Sequence, residues 1–122
     1  MPYKLSLVFF IILTISCSGL IKNKFTIVHI SDVHLGPEKH NLIFNSAIKK
    51  INEINPDIVL CTGDITNDGK NNPDYLTTAK ELLSKINSKL ILIPGNHELG
   101  NILTMDNLKR YRTVFGEDFN YS

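Results

Sequence analysis

The stretch Phe25-Thr26-Ile27-Val28-His29-Ile30-Ser31-Asp32-Val33-His34 changes character once along its length. Its first six residues are mainly apolar and β-branched, the pattern of a strand buried on both faces. Its last four bring a carboxylate and an imidazole. The same change recurs twice. Residues 58–61 are apolar and lead into Gly63-Asp64-Ile65-Thr66-Asn67, and residues 90–93 lead into Gly95-Asn96-His97-Glu98. Asp32 to Asp64 is 32 positions, and Asp64 to Asn96 is 32 again. A strand, a crossover helix and the return to a parallel strand take about 30 residues. In an open parallel sheet, ligands bind outside the carboxyl ends of the strands. The spacing therefore predicts that Asp32, His34, Asp64 and Asn96 meet at one edge of one sheet. Oxygen and imidazole donors gathered there suit a hard or borderline divalent metal.

The segments between these strands read as helices. After a loop over 35–41 containing Gly36-Pro37, the residues Ile43, Phe44, Ala47, Ile48, Ile51 and Ile54 recur at helical spacing, with Lys49, Lys50 and Glu53 on the opposite face. Asn55-Pro56-Asp57 ends this helix, because a residue before proline is pushed away from helical angles. A polar loop over 62–72 leads to Asn72-Pro73, a cap followed by a proline suited to a first helical turn. Tyr75, Leu76, Ala79, Leu82, Leu83 and Ile86 form a second apolar stripe. Thr104 caps a third helix with Leu108, Tyr111 and Phe115 on its apolar face, and Gly116 fits its C-terminal signal. Strands alternating with helices of this length predict an α/β fold with three parallel strands.

The 122 residues amount to one small domain at most. Thirteen basic against 12 acidic side chains give no electrostatic footprint for nucleic acid. The N-terminus is a different kind of segment. Lys4 supplies a positive start, residues 5–15 are apolar except for Ser6 and Thr14, and Ser16-Cys17-Ser18-Gly19 follows. That is the pattern of a secretory signal over 1–17, with 18–24 as a tether. The apolar run to Ile21 is 17 residues with four hydroxyl side chains, short of the roughly 20 that a membrane span needs; an uncleaved anchor helix is the alternative. Cys17 stands where a bacterial lipoprotein signal places its lipidated cysteine. The expectation is an exported protein, on the outer face of a bacterial membrane through a lipid on Cys17, or periplasmic or extracellular. Cys61 lies in an apolar strand and reads as a small buried hydrophobe, so no disulfide framework is expected.

Each polar segment has a bland reading. His34 alone is a loop histidine, Asp32 a turn cap, and Pro94-Gly95-Asn96 an ordinary turn. Asn67 and Asp68 serve a turn, His29 packs inside its strand, and His40 is solvated at a polar helix start. Three such segments, in order and each at a strand end, are far harder to obtain by chance. Together, Asp32/His34, Gly63/Asp64 and Gly95/Asn96/His97/Glu98 resemble the motifs of the calcineurin-like metallophosphoesterases, with some likeness to the branch of the cyclic-nucleotide phosphodiesterases. The resemblance covers 25–122 and implies the N-terminal half of an α/β/β/α sandwich. It further implies two divalent metal ions (Mn, Fe or Zn), with Asp32 and His34 on the first, Asp64 bridging and Asn96 on the second. His97 would be the catalytic proton donor or orient the phosphate. The implied reaction is hydrolysis of a phosphomonoester or phosphodiester by a hydroxide activated between metals about 3.5–4 Å apart.

The family's metal set also needs a later histidine and a Gly-His-x-His segment. The histidines here are His29, His34, His40 and His97, which predicts an incomplete domain over 25–122 that is inactive alone and exposes an apolar sheet face. Two readings follow: a metal-dependent phosphoesterase completed by a missing C-terminal half, or a non-catalytic, lipid-anchored remnant that binds metal or a partner. A nucleotide-binding α/β domain is disfavoured, because no glycine-rich phosphate loop follows the first strand.

Overall fold

The structure, a computed structural model, describes residues 24–116. The expected signal over 1–17, including Cys17, and all of the tether but Lys24 lie outside the described residues. Strands β1 (Ile27–Ile30), β2 (Ile58–Thr62) and β3 (Lys89–Ile93) form one parallel sheet in the order β1-β2-β3. Ile27 pairs with Ile58 and Ile58 with Lys89, so the three carboxyl ends finish level. Helices α1 (Glu38–Ile54) and α2 (Pro73–Leu83) are the crossovers, and α3 (Asn96–Leu99) and α4 (Met105–Phe115) follow the last strand. The expected α/β alternation is what forms.

Helix α1 starts at Glu38, inside the segment read as a loop. Pro37 caps it in an extended conformation, and the Asn41 side chain folds back to accept from the Gly36 N–H at 2.9 Å and donate to its carbonyl at 3.0 Å. Polar residues that look like loop are thus absorbed into the first turn. Asn55 ends the helix in the left-handed region, at φ 50°, just before Pro56. The apolar stripe is narrower than its sequence: Phe44, Ile48 and Ile51 are buried, whereas Ile43 and Ile54 are exposed. Strand β1 is an edge, and no described element lies beyond it for Ile43 to meet.

The core is one cluster on one face of the sheet. Val59 and Cys61 of the central strand are fully buried, packed with Phe44, Ile48, Leu76, Ala79, Leu82 and Tyr111, and Val28, Ile30, Leu90 and Leu92 pack against its margin. Side chains alternate across a strand, so their neighbours point the other way. There Ile27 is 56% exposed, Ile91 39% and Ile93 46%. Burial on both faces is therefore not what the described residues show, because their helices cover only one. His29 also faces that open side and hydrogen-bonds Thr62 Oγ1 at 2.6 Å, so it is exposed and not a core histidine. Among the described residues, no helix is long and apolar enough to cross a membrane.

Candidate metal centre

The strand-end segments keep pairing after the strands finish. The Gly63 N–H donates to the Ile93 carbonyl at 2.7 Å, Asp32 to Gly63 at 3.2 Å, His34 to Asp64 at 3.0 Å and Leu35 to Ile65 at 2.8 Å. The first two loops run side by side, and the third abuts the second. Gly95 makes that approach possible. A Cβ there would lie 2.2 Å from Asp64 Oδ1 and 2.4 Å from Asp64 N.

The backbone bends sharply at the predicted ligands. Asp32, His34 and Asp64 have φ of 53°, 51° and 46°, and only Asn55 joins them among the described non-glycine residues with positive φ. Each such residue costs on the order of 1–3 kcal/mol, and such strain gathers at functional sites. Asp32 and His34 therefore do not continue strand geometry, and the strand rule that side chains two apart share a face does not govern them.

What the loops bring together is His34, Asp64 and His97. One donor atom from each lies within 4.8 Å of the others. The two imidazoles meet edge to face, with centroids 4.7 Å apart. Asp64 Oδ1 accepts the main-chain N–H of His97 at 3.1 Å. The Nδ1 of His97 hydrogen-bonds the Asn67 carbonyl, leaving Nε2 as the nitrogen free to ligate or to pass a proton. Such a carbonyl partner on the far nitrogen is the usual support of a working imidazole. His34 Nδ1 is buried with no hydrogen-bond partner. An orphaned imidazole nitrogen beside a carboxylate and a second imidazole fits a borderline divalent ion, and three protein donors leave coordination positions open.

Asp32 lies on the same edge but outside this cluster. It is exposed, and its carboxylate accepts from Ser31 Oγ at 2.5 Å. Asn96 is exposed at the first residue of α3. His40 is not the solvated histidine expected: it is half-buried, and its Nδ1 bonds the His34 carbonyl at 2.7 Å. Asn67 does more than shape a turn, since its carbonyl holds His97. Burial first, then the charges of Glu98 and Asp32, push the Cys61 thiol up to about 12, so the sulfur beneath the site is inert, as a buried hydrophobe should be.

Glu98 and Thr66, named above only as members of their segments, turn out to be buried polar residues beneath these loops. Glu98 is 1% exposed and Thr66 fully buried. A carboxylate three residues after Gly95 was the available signal, because a glutamate at the third position of a helix reaches back to the capping N–H.

A family model for the calcineurin-like phosphoesterases matches residues 25–122. The chain belongs to that family, whose members are metal-dependent hydrolases. It is 39% identical over 84 residues to a DNA double-strand break repair protein, Mre11, of Methanocaldococcus jannaschii, covering 59% of this chain and 23% of the relative. It is 34% identical over 89 residues to a probable cyclic nucleotide phosphodiesterase of Vesicomyosocius okutanii, covering 66% of this chain and 36% of the relative. A crystal structure of a dimetal phosphatase from Danio rerio shares the fold, with a TM-score of 0.59 and 22% identity over 77% of this chain and 36% of that one. The chain thus spans roughly a quarter to a third of the length of these proteins.

Proposed function

We propose that this chain supplies the first part of the active centre of a metal-dependent phosphoesterase, one that takes a phosphodiester or phosphomonoester. The observation that carries the reading is the convergence of His34, Asp64 and His97 at the carboxyl edge of the sheet. Asp32 and His34 would hold one of two divalent ions, Asp64 would bridge them with its two oxygens, and Asn96 would hold the other. Bound divalent metals supply a nucleophile at neutral pH and neutralise charge on the transferring phosphoryl group. The protein's own part is to fix the carboxylate through the His97 N–H and to present His97 Nε2, which then protonates the leaving group or orients the phosphate. Fewer donors gather here than two metals need, so we further propose that histidines from a second half complete the set. Export, and anchoring through Cys17, are part of the same proposal.

The test uses the chain with Mn²⁺ or Fe²⁺ and bis(p-nitrophenyl) phosphate. Turnover far below the enzyme range of about 1–10³ s⁻¹ is expected, with full rates once the remaining ligands are supplied. Rates inside that range from the chain alone, abolished in Asp64→Ala, would contradict the incomplete-centre part of the reading. A non-catalytic metal-binding role is favoured if the completed protein binds metal yet leaves phosphoesters untouched.

A further inference from the structure

Glu98 sits among the site loops without belonging to the donor cluster. It is 1% exposed, and its carboxylate is bonded from two loops that each carry a site residue. Oε1 accepts the main-chain N–H and the hydroxyl of Thr66, both at 2.7 Å. Oε2 accepts the N–H of Gly95 at 2.8 Å. Thr66 follows Asp64 by two residues, and Gly95 is the residue whose missing Cβ leaves room for the Asp64 carboxylate. The Thr66 hydroxyl in turn accepts from the Gly69 N–H at 3.0 Å, which closes the loop after Asn67. One buried side chain therefore holds the loop of Asp64 with one oxygen and the loop of His97 with the other.

We infer that Glu98 is a positioning residue: it holds the loop of Asp64 against the loop of Asn96 and His97, and so sets the metal affinity of the centre through Asp64 and Asn96, although it touches neither metal nor substrate. This rests on the metal-centre reading above. Chemistry makes the residue type specific. Glutamine keeps one acceptor but turns an NH₂ toward either Gly95 or Thr66, setting donor against donor. Aspartate keeps the charge but is one methylene short of spanning both loops. Alanine leaves three donors unpaired, two of them on fully buried Thr66, and buried donors without partners are costly.

The test compares the full chain with Glu98→Gln, Glu98→Asp and Thr66→Val, at a temperature where circular dichroism shows each fully folded. Two readouts are taken: Mn²⁺ affinity by titration calorimetry, and amide hydrogen exchange without metal. Partners that orient metal ligands are worth about 10–100-fold in affinity, so Glu98→Gln should bind Mn²⁺ that much more weakly, with Thr66→Val losing less. Exchange should quicken at Thr66, at Gly95 and also at His97, whose N–H reaches Asp64, while Val59 and Leu90 in the sheet stay protected. Quickening at Thr66 and Gly95 with His97 and Mn²⁺ affinity unchanged would overturn the inference and leave Glu98 as a staple of the fold. If the parent chain binds no Mn²⁺, the metal reading fails, and the His97 amide alone decides whether Glu98 positions the pair.

Discussion

His97 donates its main-chain N–H to Oδ1 of Asp64 at 3.1 Å, so the acid of one strand-end loop is held by the histidine of the next. The imidazole of the same histidine is held by the carbonyl of Asn67, three residues after that acid. The two loops grip each other in both directions. That fixes a carboxylate and an imidazole side by side while both stay half-exposed to whatever binds at the sheet edge.

His97→Ala, made in the protein with its ligand set complete, should slow turnover by about 10²–10⁴-fold, the range for a positioned acid or base. Metal content should stay near that of the parent. Elemental analysis beside kcat checks this. Metal lost in proportion to rate would make His97 a ligand first and a proton donor second.

Gly95→Ala should damage both fold and site. Its Cβ would fall 2.2 Å from Asp64 Oδ1, so the loops must part. Overpacking of this kind costs about 1–3 kcal/mol, readable by urea denaturation, and Mn²⁺ binding should weaken with it. An Ala variant with parental stability and affinity would show that the close approach is not needed.

The Cys61 thiol should resist Ellman's reagent at pH 8 in the folded chain and react once urea unfolds it. Its thiol is raised from 9.0 to about 12 by burial and by the charges of Glu98 and Asp32. Between those values the unfolded thiol has lost its proton while the folded one keeps it. Folding then binds more protons than unfolding, so this group's contribution to stability is whole below pH 9 and falls as pH rises toward 12. Cys61→Ala should remove that slope. A slope unchanged by the substitution would assign it to other groups.

Cys17→Ser should abolish palmitate labelling and membrane retention when the chain is expressed in a bacterium. Labelling and retention that persist in the variant would replace lipidation with an uncleaved anchor or plain secretion.

The fold was legible because three apolar runs sit at nearly equal spacing, and a parallel sheet leaves few ways to connect them. The same spacing predicted Asp32, His34, Asp64 and Asn96 at one edge; His34 and Asp64 do meet there, but the residue that joins them is His97, the neighbour of Asn96, and Asp32 stays outside the cluster. What the sequence concealed was local. Glycine-like angles at Asp32 and His34 are strain imposed by neighbouring loops, and no residue type announces them. The bonds that His40 makes to the His34 carbonyl and Asn67 to His97 go through backbone atoms, which side-chain patterns do not report. Ile27, Ile91 and Ile93 lie on an open apolar sheet face, as expected of the sheet as a whole; only the first strand, taken alone, read as buried on both sides, because an apolar run does not tell a covered face from an uncovered one.

Asp64 is the one carboxylate in the cluster of His34, Asp64 and His97, and it is the residue proposed to hold both metals. The most direct measurement is metal stoichiometry by elemental analysis, with kcat, for Asp64→Ala and Asp64→Asn in the protein with its ligand set complete. Two metals are expected in the parent, with loss from both positions in Asp64→Ala and turnover reduced more than by substitution of Asn96 or His97. Two metals retained in Asp64→Ala with a near-parental rate would contradict it.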